Sequence, residues 1–152
     1  MPYEYLTSSP EETVELGRLI GEKLRGGDII AYKGSMGAGK TTMTRGLTMG
    51  LGLGDQAFSP TFALVNEYRG RGLTLYHFDM YRITSAMDLE TTGFYDYLDS
   101  DSVLAVEWSE NIAEDLPEPL TVITLERIDD ETRKITIDGD ERFAYLSDRY
   151  QR

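Results

Sequence analysis

The sequence predicts an α/β layered fold, on three observations. Strand-like and helix-like segments alternate from end to end. The wholly apolar run Val103-Leu104-Ala105-Val106 has the makeup of a central strand buried on both faces. A glycine-rich turn over residues 34–39 separates a short apolar strand from a helical stretch. With 152 residues, the expected organisation is one domain spanning 1–152, large enough to bury a real core.

The elements follow in order. Residues 9–25 read as a helix. Ser9 is a good N-cap, Pro10 suits the first helical position, and Glu12 completes a capping box with Ser9. Leu16, Leu19, Ile20 and Leu24 form an apolar stripe at helical spacing, and Gly26-Gly27 stops it. Asp28 to Lys33 reads as a buried strand. After the glycine-rich loop, a second helix runs from about Lys40 to Met49, closed by Gly50 and Gly52. Residues 62–69 and 73–79 flank Gly70-Arg71-Gly72, a hairpin signal. Residues 85–98 read as a helix broken near Gly93. Strands are expected over 120–128 and 133–138 around the polar turn Asp129-Asp130-Glu131, and a last helix over 141–150.

Composition narrows the function. The net charge is -12, from 27 acidic and 15 basic residues. Residues 1–75 hold 8 of each sign, whereas 76–152 hold 19 acidic and 7 basic. The whole excess therefore sits in the second half. A domain that grips nucleic acid alone needs a basic footprint, and one that docks on anionic lipid needs the same. There is no apolar run of transmembrane length and no signal-peptide pattern at the start. The absence of cysteine excludes disulfides, thiolate metal sites and cysteine catalysis. A cytoplasmic protein with no membrane contact is expected.

The strongest chemical signal is Gly34-Ser35-Met36-Gly37-Ala38-Gly39-Lys40-Thr41, followed by Thr42, which fits G-x-x-x-x-G-K-[ST] without departure. Glycines let consecutive backbone N–H groups turn inward onto phosphate oxygens. The helix that starts at the loop adds its positive end. Lys40 would reach the β- and γ-phosphates, and Thr41 would place its hydroxyl on Mg²⁺. No Asn-Lys-x-Asp base-reading motif occurs, so ATP is favoured over GTP.

Such a site needs an acid at a strand end to hold Mg²⁺, directly or through water. Glu107 follows the apolar run 103–106, and Asp79 ends Leu75-Tyr76-His77-Phe78-Asp79. The two would divide the work between metal and water, and their order does not say which does which. Ser59-Pro60-Thr61 lies where a switch loop could present the Thr61 hydroxyl to the γ-phosphate. His77, the only histidine, reads as a packed strand residue. Trp108, the only tryptophan, reads as an anchor beside Glu107.

These pieces in this order resemble the TsaE family, small P-loop ATPases of bacterial tRNA threonylcarbamoyladenosine synthesis. The resemblance spans roughly residues 9–138. It rests on Gly34–Thr42, Ser59-Pro60-Thr61-Phe62, Leu64-Val65-Asn66-Glu67-Tyr68, Tyr76-His77-Phe78-Asp79-Met80-Tyr81-Arg82 and Val106-Glu107-Trp108-Ser109-Glu110. It implies a three-layer α/β/α P-loop domain with a mixed central sheet. It further implies an ATPase that is weak alone and stimulated by TsaB and TsaD partners. In that scheme TsaD transfers threonylcarbamoyl to adenosine beside the tRNA anticodon, and ATP hydrolysis resets the complex between turnovers.

Carried over by position, Gly37, Ala38, Gly39, Lys40, Thr41 and Thr42 would cradle the phosphates, and Thr41 with Glu107 would hold Mg²⁺. Thr61 and Asp79 would belong to the switch and hydrolytic machinery. Trp108, Glu110 and Arg133 would lie near the nucleotide, and Ser9 near its base. The departures are Ala63 in place of threonine and Met80 in place of leucine. A P-loop small-molecule kinase and a non-hydrolysing regulatory module are the alternatives. No arginine-rich lid is visible for the first, and the pair of acids argues against the second.

Overall fold

The computed structural model describes residues 2–34, 37–53, 65–69, 73–79, 99–107, 116, 120–147, 149 and 150. In chain order the elements are β1 (Pro2–Thr7), α1 (Pro10–Lys23), β2 (Ile29–Lys33), α2 (Lys40–Gly50), β3 (Val65–Arg69), β4 (Thr74–Asp79), β5 (Ser102–Glu107), β6 (Leu120–Arg127) and β7 (Arg133–Asp138). The expected helix over 85–98 lies outside the described residues.

The seven strands form one mixed sheet in the order β1-β7-β6-β2-β5-β4-β3. β6, β2, β5 and β4 run parallel, and β7, β1 and β3 attach antiparallel at the two margins. Burial follows position in the sheet. Every residue of the central β5 is buried, while β6 alternates buried and half-buried positions along most of its length. A strand covered on both faces has no polar side to alternate with. On one face Ile30, Tyr32, Leu75, Val103, Ala105 and Ile123 pack under α1 and α2. The other face buries Ile29, Ala31, Phe78, Leu104 and Val106, with Leu116 against them. This is the expected α/β architecture with its mixed sheet.

Two features near the termini differ from the expectation. β1 is a strand with little local signature. It forms because Tyr3, Tyr5 and their neighbours pair with Ile137, Ile135 and the rest of β7. Pro2 is tolerated there because the first residue of a marginal strand need not donate. The last helix over 141–150 does not form. Only a 3₁₀ turn, Glu141–Phe143, is helical. Its side chains are committed elsewhere: Phe143 is fully buried, and the Tyr5 hydroxyl donates to its carbonyl. Further on, the Leu6 N–H donates to the Tyr150 carbonyl at 2.8 Å, drawing the chain along the outer side of β1.

Arg142 closes the sheet end away from the glycine loop. Its guanidinium makes two 2.8 Å bonds to the Asp28 carboxylate and a 2.9 Å bond to the Lys23 carbonyl. Both side chains of the pair are nearly buried. Removing one partner strands a desolvated charge, so Arg142→Ala is expected to cost about 3 kcal/mol. The measurement is urea unfolding, where the midpoint should fall with an unchanged slope. An unmoved midpoint would mean that Asp28 is solvated without its partner.

α1 and α2 touch through their backbones. Gly17 and Gly21 of α1 face Gly46 and Gly50 of α2. A Cβ added at Gly46 would lie 2.3 Å from the Val14 carbonyl oxygen and 2.7 Å from the Gly17 Cα. Residues four apart share a helix face, so each helix presents a glycine groove to the other. The contact locks the start of α1 beside the start of α2, and both starts border the candidate site.

Candidate functional site

The three parallel strands β2, β5 and β4 end at one margin of the sheet. β2 feeds the glycine loop, which feeds α2. Neighbouring β5 ends on Glu107, one step beyond the Ala31–Val106 pair, and β4 ends on Asp79, in register with Glu107. The carboxyl ends of parallel strands, between neighbours leaving in different directions, are the usual ligand crevice of such sheets. Both acids singled out in the sequence are thus brought to the loop. For Asp79 this is a statement about its backbone.

The loop is bent by glycines that need their freedom. Gly37 and Gly39 have φ of 82° and 107°, values that side-chain-bearing residues avoid. Gly34 also has no room, since a Cβ there would sit 2.6 Å from the Leu125 carbonyl oxygen. Gly39 is the N-cap of α2 and has no side chain to bond the first-turn N–H groups. A helix start without a side-chain cap favours an anion. Lys40 is only 5% exposed. Its Nζ donates to the Gly34 carbonyl at 2.9 Å, so the ammonium is folded back across the loop. Thr41 and Thr42 are half-buried in the first turn of α2.

Arg133, at the start of β7, holds the loop from outside. Its Nε donates to the Ala38 carbonyl at 3.1 Å and a terminal nitrogen to the Gly37 carbonyl at 3.4 Å. The carbonyls of Asp129, Asp130 and Thr132 take its other terminal nitrogen. In a trans peptide the C=O and the following N–H point in opposite directions. Turning the carbonyls of Gly37 and Ala38 toward Arg133 therefore turns the N–H groups of Ala38 and Gly39 away from it. Arg133 also lines a small cleft with Pro10, Thr13, Gly39, Thr42 and Glu131. Ser9 adjoins this cleft in sequence. Its hydroxyl accepts from the Glu12 N–H at 3.1 Å, as an N-cap does. The reciprocal half of the capping box is displaced by one residue, because the Glu12 carboxylate accepts from the Ser8 N–H instead.

Glu107 is 7% exposed, a nearly buried carboxylate. Its close polar neighbour is His77 of β4, fully buried, with Nε2 at 2.5 Å from Oε2 of Glu107. The contact is short but out of hydrogen-bonding alignment, and neither ring nitrogen has an aligned partner among the described residues. The His77 ring meets Tyr32 edge-on, at 6.4 Å and 81°. The Tyr32 hydroxyl is 2.7 Å from Thr44 Oγ1, and that hydroxyl donates to the Lys40 carbonyl at 2.9 Å. Because Thr44 spends its one proton on that carbonyl, Tyr32 is the donor to Thr44. Burial pushes the Tyr32 phenol far above its ordinary value, and the Glu107 charge adds to this. The phenol therefore stays protonated and keeps donating.

The sequence singled out neither Tyr32 and Thr44 nor His77 as parts of the site. The one available signal was polarity in apolar company: a tyrosine in Ile29-Ile30-Ala31-Tyr32 and a histidine in β4. Thr61, Trp108 and Glu110 lie outside the described residues, as do Ser35 and Met36 of the loop.

The donor set suits magnesium. A hydroxyl on α2 and one nearly buried carboxylate on β5 match an ion that takes most of its shell from phosphate and water. Among the described residues there is no cluster of three ligating side chains, and Mg²⁺ on a nucleotide requires none.

The model of the family "Threonylcarbamoyl adenosine biosynthesis protein TsaE" matches residues 7–135. Among curated proteins, the tRNA threonylcarbamoyladenosine biosynthesis protein TsaE of Treponema pallidum is 37% identical, over 87% of this chain and 97% of its own. The protein of that name in Bacillus subtilis is 36% identical, over 97% and 89%. That of Streptomyces coelicolor is 41% identical, over 86% and 93%. Among solved structures, a crystal structure of Bacillus subtilis YdiB superposes with a TM-score of 0.76 at 32% identity, covering 99% of this chain and 89% of that one.

Proposed function

The chain belongs to the TsaE family, and from that premise we propose that it is the ATP-binding and hydrolysing subunit of tRNA threonylcarbamoyladenosine synthesis, acting with TsaB and TsaD homologues. The observation that carries the reading is the loop with Lys40 folded across it beside a nearly buried Glu107 on the adjacent strand. Backbone N–H groups of the loop, aimed by Arg133, would receive the phosphates. Lys40 would exchange the Gly34 carbonyl for phosphate oxygens. Thr41 and Glu107 would hold Mg²⁺, which when bound would neutralise charge between the β- and γ-phosphates. Thr61 and Asp79 would serve the switch and the attacking water. The base would lie toward the small cleft of Pro10, Thr13 and Arg133, next to Ser9.

Charge explains why such a subunit needs company. The P-loop is encoded in the half of the sequence with balanced charge, and the loop N–H groups, Lys40 and Mg²⁺ would offset the nucleotide charge beside Glu107 and Asp79. The acidic half is ill suited to grip tRNA. The partners would contact the tRNA, and the acidic half is the surface offered to them. No described helix is long and apolar enough to cross a membrane.

Phosphate release from ATP should rise when TsaB and TsaD homologues are added. Phosphorylation of a small acceptor, with no response to those proteins, would overturn the proposal. Glu107→Ala is expected to reduce Mg²⁺-dependent release by at least tenfold, a loss of about 1.4 kcal/mol or more in transition-state stabilisation. ATP affinity should fall less. If release is unchanged, the metal acid is Asp79.

A further inference from the structure

We propose that His77 is a positioning residue for Glu107: its Nε2–H holds Oε2 of the carboxylate, so that the other carboxylate oxygen is presented to the nucleotide-bound cation already oriented. The inference rests on the ATPase reading and adds a residue which that reading does not use.

Register comes first. His77 of β4 lies opposite Ala105 of β5, and Asp79 opposite Glu107. His77 and Glu107 are therefore diagonal neighbours on one face, within reach of a long side chain. A methyl group at Ala105 leaves the imidazole space to reach Glu107.

The polar balance follows. The His77 ring is fully buried and neither nitrogen has an aligned partner among the described residues. Buried imidazole nitrogens left that way are costly. Among the described residues, the polar atom that meets the ring is Oε2 of Glu107, at 2.5 Å. A ring nitrogen and a carboxylate oxygen that close repel each other unless the nitrogen carries a proton. A carboxylate that serves a cation must be ionised, which places the proton on Nε2 of His77. The proposed hold requires a rotation of one side chain that turns the Nε2–H onto Oε2.

Rigidity completes the case. Tyr32 meets the ring edge-on and is itself bonded through Thr44 to the Lys40 carbonyl in the first turn of α2. The imidazole is thus backed by groups anchored to the phosphate-binding helix. Partners behind a metal-binding side chain commonly change metal affinity by 10- to 100-fold, roughly, when removed.

The test uses the full chain with His77→Phe, which keeps an aromatic ring and removes the donor, and His77→Gln, whose amide N–H falls near the position of Nε2. ATP affinity is measured in EDTA and in Mg²⁺, together with the Mg²⁺ concentration that gives half-maximal phosphate release with TsaB and TsaD homologues present. The phenylalanine variant should bind ATP in EDTA like the wild type but need about 10-fold more Mg²⁺, and the glutamine variant should recover most of that loss. If the phenylalanine variant does not fold, His77→Met replaces it as the variant without a donor. An unchanged Mg²⁺ requirement, an equal loss of affinity with and without Mg²⁺, or glutamine no better than the variant without a donor would each overturn the proposal. Wild-type protein that binds no ATP would overturn the ATPase reading along with it. Normal Mg²⁺-dependent binding with indifferent His77 variants would overturn the positioning role alone.

Discussion

Lys40→Ala is expected to weaken ATP binding by roughly a hundredfold, about 3 kcal/mol, and to bring phosphate release close to background. The side chain is nearly buried, so its charge acts where water screens little. It also spans the loop, bonded to the Gly34 carbonyl at 2.9 Å. The nucleotide would replace that neutral acceptor with anionic oxygens, which bond an ammonium about twice as strongly. The fold should survive, because alanine is favourable in the first turn of a helix and the bond to the neutral Gly34 carbonyl contributes only about 1 kcal/mol. Isothermal titration with ATP, alongside a melting curve, separates the two effects. A folded variant that binds ATP as tightly as the wild type would show that the loop is not the site. Lys40→Arg should restore little, since a planar fork does not fit where a point charge reaches across the loop.

What the sequence made legible was chemistry carried by neighbouring residues. The run Gly34–Thr42 needs one strand before it and one helix after it, and both are encoded within a few positions. Glu107 was legible because Val103–Val106 is apolar throughout and a central strand must be. The hidden features depend on partners distant in the chain. β1 exists through β7, which lies about 130 residues further on. The helix expected over 141–150 yields to Phe143 burial, the Arg142–Asp28 pair and the Tyr150 carbonyl on β1. His77 read as packing because only the β4–β5 register shows that its diagonal neighbour is Glu107. Arg133 was placed near the nucleotide by resemblance. Its bonds to the Gly37 and Ala38 carbonyls supply a physical role, in aiming the loop, that no spacing rule contains.

Gly46→Ala separates local from tertiary physics more sharply than any other change. Helix propensity alone favours it by about 1 kcal/mol, because alanine is a better helix residue than glycine. The α1–α2 contact predicts the opposite sign. The new methyl would lie 2.3 Å from the Val14 carbonyl oxygen, 2.7 Å from Gly17 Cα and 2.8 Å from Arg18 N. All three are backbone atoms and have no rotamer to escape into. The helices must move apart, and Gly17, Gly21 and Gly50 then lose their close packing as well. Overpacking of this kind costs about 1–3 kcal/mol after relaxation. Gly46→Ala should therefore lower the urea midpoint, and Gly46→Val should lower it further, consuming a large part of a domain's typical stability of about 5–15 kcal/mol. The shift should also reach the site, because α1 begins at Pro10 and α2 at Lys40, and the cleft between Pro10, Thr13 and Thr42 depends on their spacing. ATP affinity should fall in the folded Gly46→Ala protein. A higher midpoint for Gly46→Ala would mean that propensity wins and that the two helices are not in backbone contact.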